Sequence, residues 1–134
     1  MRIGISCHPT MGGSGVVATE LARALAERGD EVHLLSYALP ARWSGGGQGL
    51  FFHPVTVGQY PLFEYPPYSL ALATKMVEVV RHHQLDLLHV HYAVPNAISA
   101  ILAREILLPD PIRVITTLHG TDVTLVGNDP SYLE

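Results

Sequence analysis

Hydrophobic and polar positions divide this chain into short apolar runs separated by longer amphipathic stretches. The runs at residues 2–6, 31–36, 50–57, 86–92 and 112–118 are rich in Val, Ile and Leu, the pattern of strands buried on both faces. Between the first two, Val17, Leu21 and Leu25 recur at helical spacing, predicting a helix over 15–28 with Gly29 as its stop. Leu72, Met76, Val79 and Val80 form a second apolar stripe within 69–83, and Ile98, Ile101, Leu102 and Ile106 a third after Pro95. Strands alternating with helices predict an α/β fold of the Rossmann-like kind, a mainly parallel sheet with helices on both faces. The reason is that each right-handed crossover lays its helix back across the sheet.

Two connections depart from that rhythm. Residues 37–49 contain Pro40 and a glycine-rich patch, Gly45-Gly46-Gly47 with Gly49 behind it, and show no helical stripe, so they read as an excursion with a loose loop. Residues 58–68 hold Tyr60, Phe63, Tyr65 and Tyr68 among prolines, too aromatic for an idle turn. This loop is expected to pack on something, either the core or a second copy in a homo-oligomer. After the fifth strand, 120–127 reads as a loop. Asp129-Pro130-Ser131 then reads as the opening of a further helix with Asp129 as N-cap, which points to the amino-terminal part of a longer protein.

Composition narrows the classes. With 134 residues, 48% hydrophobic and 15% charged, the chain has the makings of one well-buried core and not of a disordered segment. A net charge of −4 without a Lys/Arg run argues against a nucleic-acid partner. The single Cys7 makes no internal disulfide, no apolar stretch is long enough to span a membrane, and the start at Met1 lacks signal-peptide character. A cytoplasmic location is the expectation.

In open parallel sheets, ligands bind beyond the carboxyl ends of the strands near the point where strand order reverses. Three segments are placed to do so. Pro9-Thr10-Met11-Gly12-Gly13-Ser14-Gly15 opens directly into the first helix, whose free N–H groups and positive dipole end favour an anion. His91-Tyr92-Ala93-Val94-Pro95-Asn96 follows the fourth strand, and Thr117-Leu118-His119-Gly120-Thr121-Asp122 follows the fifth. If the first and fourth strands are neighbours, these segments rim one crevice.

The glycine segment lacks a Walker ending and the G-x-G-x-x-G spacing, and the second strand ends without the acid that would hold an NAD ribose. Val16 stands where a nucleophile elbow around Ser14 would need glycine. A nicotinamide oxidoreductase and a serine hydrolase are both disfavoured. His119, on a loop beside Gly120, is suited to orient a hydroxyl or carboxylate, and Tyr92 and Asn96 to present polar groups to the crevice.

Metal binding is not expected. His89 and His91 are read as diverging, with no Cys, Asp or Glu beside them to complete a ligand set. His82-His83 is read as a solvated pair at a helix end, His33 as a plain strand residue, and His8 and His53 receive no role.

In order along the chain, Gly12-Gly13-Ser14-Gly15-Val16-Val17, the 55–60 and 65–73 segments, His89 to Pro95 and Thr116 to Asp122 resemble the amino-terminal domain of retaining GT-B glycosyltransferases. Among these they look most like the enzymes that open bacillithiol biosynthesis. The resemblance covers nearly the whole chain. It implies transfer of N-acetylglucosamine from UDP-N-acetylglucosamine to L-malate with the α configuration retained, and no cofactor or metal. This chain would be the first, acceptor-side half of a two-domain GT-B architecture, inactive alone, with a nucleotide-sugar domain beyond it. Carried over by position, Gly12, Gly13 and Ser14 border the donor diphosphate and the acceptor. Tyr92, Asn96, Thr117 and Asp122 bind substrate, and His119 is the catalytic candidate. The alternative is a self-contained flavodoxin-like module that binds a nucleotide or flavin.

Overall fold

The structure, a computed structural model, describes residues 1–9, 12–43, 45 and 47–132. Thr10 and Met11 of the glycine segment and Gly46 of the glycine-rich patch lie outside them. Five strands, β1 (Arg2–Ser6), β2 (Glu31–Ser36), β3 (Leu50–Pro54), β4 (Leu87–His91) and β5 (Arg113–Thr117), form one parallel sheet in the order β3-β2-β1-β4-β5. Helices α1 (Gly13–Glu27), α2 (Tyr68–His83), α3 (Ile98–Ile106) and the short α4 (Gly120–Thr124) complete it. The order reverses between β1 and β4, the switch point of a doubly wound sheet.

Each face has its own core. Ile3, Ile5, Val32, Leu34 and Leu50 pack with Ala18 and Ala22 of α1. On the opposite face Leu35, Leu88 and Val90 pack with Leu72, Met76 and Val79 of α2 and Ala100 and Ala103 of α3. The alternation of side chains along each strand divides the two sets. At the rim, β5 has a neighbour on one side only, and Ile115 is exposed on it.

The predicted elements recur with differences of extent, α1 running from Gly13 to Glu27 and α2 starting at Tyr68. β3 ends at Pro54 and not at residue 57, β4 and β5 are each trimmed at both ends, and 120–127 is not a loop but α4 followed by a 3-10 turn over Val126–Asn128. β4 stops where Tyr92 takes a φ of +83°, which no strand residue adopts. At the end of the described chain the Asp129 carboxylate accepts from the Ser131 N–H at 2.8 Å, but the described residues 129–132 form a turn and bend where the sequence predicts a helix to open.

The helix faces are a further correction. α3 buries Ser99, Ala100 and Ala103 and exposes Ile98, Ile101, Leu102 and Ile106, while α1 buries Ser14, Gly15, Ala18, Thr19 and Ala22 and exposes Val17. Periodicity identifies a helix but does not say which side packs. Here the small-residue side is the one that lies close against the neighbouring layer. In the aromatic loop, only Tyr68 joins the core, while Tyr60, Leu62, Phe63 and Tyr65 are exposed and Tyr60 and Phe63 pack on each other with ring centroids 5.2 Å apart.

Gly49 turns the chain into β3 with a φ of +82°, and a Cβ built there would lie 2.9 Å from the Asp30 carbonyl oxygen. Strain and a backbone collision act together, so Gly49→Ala is expected to lower stability by about 1–3 kcal/mol. Urea denaturation reads this as a lower midpoint at unchanged slope. No helix among the described residues is long and apolar enough to cross a membrane.

Candidate functional site

Register brings the three sequence segments to one edge. Ser6 on β1 lies beside Val90 on β4, and His91 lies beside Thr117 on β5, so the chain leaves all three strands at the same level. The loops then touch. The His8 ring meets the edge of Tyr92 with centroids 5.1 Å apart, and Tyr92 stacks on His119 at 5.1 Å and 17°. A loop from each of β1, β4 and β5 thus contributes one ring to a continuous aromatic contact.

Tyr92 is the hinge of this arrangement. Its left-handed backbone costs about 1–3 kcal/mol, which its surroundings offset. Its N–H donates to the Thr117 carbonyl and its own carbonyl accepts from the Ala97 N–H, both at 3.1 Å, and its hydroxyl bonds that of Thr121. Asp122 ties the two loops together, one carboxylate oxygen accepting from the His119 N–H at 2.8 Å and the other from the Ala93 N–H at 3.0 Å. Its carboxylate is buried and committed to backbone.

His89 and His91 do not diverge. Residues two apart on a strand share a face, and the rings stack with centroids 4.8 Å apart. His89 Nε2 bonds the Thr117 hydroxyl at 2.7 Å and His91 Nδ1 meets His119 Nε2 at 3.1 Å. The His119 side chain also accepts from the Asp122 backbone N–H, closing a reciprocal capping box at the start of α4. Burial, reinforced by His89 and His119, pushes His91 down to about 4, and burial also lowers His8 and His89.

These shifts set a pH window. The folded state keeps His91 neutral while the unfolded chain protonates it near its ordinary 6.5. Stability is therefore full above about pH 6.5 and falls as the pH drops toward 4, because the unfolded state takes up the proton first. The urea midpoint is expected to stay level from pH 8 to 7, to decline below that, and to decline less in His91→Asn.

Of the remaining residues, Gly12 holds an extended backbone as N-cap of α1, Gly13 is exposed in its first turn and Ser14 is buried there. Thr117 is half-buried and bonded to His89. Asn96 is buried, its carbonyl accepting from the Ser6 hydroxyl at 2.6 Å while its Nδ2, like His91 Nε2, has no partner among the described residues. Sequence reading assigned nothing to His8, yet it follows β1 as His119 follows β5, so the strand-end rule would have found it.

The sheet order, its switch point and this crevice define a Rossmann-like α/β domain of the GT-B type. The same fold occurs in sucrose-phosphate synthase from Thermosynechococcus elongatus, at a TM-score of 0.59 and 18% identity over 91% of this chain and 34% of that one. It occurs again in Acinetobacter baumannii MurG, at 0.59 and 10% over 88% and 35%. The sequence matches Glycosyltransferase Family 4 over residues 11–133, and the chain belongs to that family. It is 54% identical to the N-acetyl-alpha-D-glucosaminyl L-malate synthase of Bacillus anthracis over 131 residues, 98% of this chain and 34% of that protein. The chain thus spans about a third of that relative's length.

Proposed function

We propose that this chain is the acceptor-side domain of a retaining glycosyltransferase that moves N-acetylglucosamine from UDP-N-acetylglucosamine to the hydroxyl of L-malate, the first step of bacillithiol biosynthesis. The observation that carries the reading is the convergence of the His8, Tyr92 and His119 loops at the carboxyl edge beside the start of α1, in a family member so close in sequence to a protein named for that product.

The chemistry fits such a half-site. The first turn of α1 offers backbone N–H groups and a positive dipole end to phosphate or carboxylate, with Gly12 and Gly13 leaving the approach open and Ser14 adding a hydroxyl. No Lys or Arg occurs in the three crevice segments, so the charge of a dianionic acceptor and of the diphosphate is balanced by these N–H groups and by cations of a second, nucleotide-binding domain. Retention without a carboxylate nucleophile points to front-face attack, the departing phosphate taking the acceptor proton, with neither metal nor cofactor in the step. His119, held by Asp122 and braced by Tyr92, orients the acceptor hydroxyl or the transferred sugar. Asn96 and Thr117 support the floor of the site. The reaction is cytoplasmic, where the nucleotide sugar is supplied.

The test is transfer by the full-length protein. N-acetylglucosaminyl malate with an α linkage is the expected product, by mass and by proton NMR, and residues 1–134 alone are expected to yield none. A product formed with other hydroxy acids at equal kcat/KM would remove malate from the proposal. Ser14→Ala is expected to raise the KM for malate several-fold more than that for the nucleotide sugar. Equal effects would contradict an acceptor-side role.

A further inference from the structure

A second group of histidines lies on the opposite face of the sheet, away from His119. Parity puts it there. Leu35 packs in the core under α2, so His33, two residues earlier on β2, faces α2 as well. On β3, Leu50 and Phe52 pack on the α1 side, which turns His53 to the α2 side. The last turn of α2 then brings His83 over both, with its ring centroid 4.2 Å from that of His33 and 5.2 Å from that of His53. His83 does meet His82 edge-on at 4.7 Å at the helix end, as the sequence implied, but it also packs on the strands, and His33 is more than a strand residue. One ring nitrogen from each of the three lies within 4.8 Å of the others.

We infer that His33, His53 and His83 form a binding site for a divalent transition metal of the zinc type, three imidazole nitrogens with water as the fourth ligand. Three imidazoles around an open position are a ligand set that zinc accepts, and nitrogen donors exclude the oxygen-seeking calcium and magnesium. Beyond the ligands, His33 Nε2 donates to Glu31 Oε1 at 2.8 Å. That carboxylate fixes the tautomer that leaves the Nδ1 lone pair pointing into the cluster, the outer support that metal-bound histidines commonly have. His33 Nδ1 and His53 Nε2 face each other at 2.8 Å. Tetrahedral zinc, with Zn–N of about 2.0–2.1 Å, needs about 3.3 Å between them, so the metal would replace one hydrogen bond after a small rotation of the partly exposed His53.

The electrostatics favour a cation. Lys75 is paired with Glu78 at 2.7 Å, leaving Glu31 as the unbalanced charge beside the rings. Burial, then His33 and His83, push His53 down to about 4, and burial also lowers His83, so protons compete less for the nitrogens of these two rings than for those of a free imidazole. His33 is fully buried while His53 and His83 are half-exposed, which leaves a route for the ion. Bound there, it would join β2, β3 and the end of α2.

The full chain, stripped with chelator and titrated with zinc chloride, is expected to retain one zinc per chain through desalting and to unfold at a temperature several degrees higher. His53→Gln and His83→Gln are each expected to weaken zinc binding at least tenfold and to abolish the thermal shift with the far-UV circular dichroism unchanged. Glu31→Gln is expected to weaken it about 10–100-fold, and His82→Gln to leave it as in the parent. Histidine nitrogen NMR of the unsubstituted chain gives a reading free of folding effects, since zinc should shift His33, His53 and His83 and spare His89, His91 and His119. No retained zinc, retention undiminished in both glutamine variants, or shifts confined to the crevice histidines would each overturn the site.

Discussion

His119→Ala in the full-length protein is expected to lower kcat/KM with UDP-N-acetylglucosamine and L-malate about a hundredfold, most of it in kcat. The imidazole sits at the meeting point of the crevice loops, stacked on Tyr92 and linked through Nε2 to His91, and a polar group so held acts by positioning and by stabilising developing charge. Losing one such group typically costs about 10²–10³ in rate, close to 3–4 kcal/mol of barrier. Because the imidazole is partly exposed and its backbone is anchored separately by Asp122, folding should change little, so the thermal midpoint should stay within a few degrees of the parent. Steady-state kinetics beside a melting curve decide the matter, and a kcat within threefold of the parent would take His119 out of the reaction.

Asp122→Ala is expected to show the opposite balance, a stability loss of about 2–4 kcal/mol accompanied by loss of transfer. Its two oxygens accept from the His119 and Ala93 N–H groups. Truncation leaves two donors without partners at a nearly dry position, each worth about 1–3 kcal/mol. It also unties the loop after β4 from the loop after β5, so that Tyr92 loses part of what holds its left-handed backbone. Urea denaturation gives the stability change, and nucleotide-sugar turnover measured well below the midpoint gives the activity. Full turnover at lowered stability would confine Asp122 to holding the loops, whereas full stability would mean that the two bonds contribute little.

Much of this was legible in residue order alone. Apolar runs of strand length, separated by helical periodicity, sufficed for the five strands and the three longer helices, since a parallel sheet covered on both faces leaves few other ways to bury them. The crevice was legible too, because glycine, histidine and asparagine concentrate after β1, β4 and β5, where ligands of such sheets bind. Packing sides were not. The isoleucines of α3 look like its inward stripe, yet Ser99, Ala100 and Ala103 are the residues buried, because closeness of approach, which no single segment encodes, selected the small side.

The histidines divide along the same line. That His89 and His91 share a face follows from the two-residue period of a strand and needed no coordinates. His33, His53 and His83 are separated by 20 and 30 positions, and only the pairing of β2 with β3 and the return of α2 over that pair bring their rings together. Local pattern determined what the elements are and which of their ends carry polar chemistry. The tertiary structure decided which side chains meet, that Asp122 holds two loops and that three distant imidazoles face one another, because those contacts depend on register and on layer spacing, quantities set only when the whole sheet is assembled.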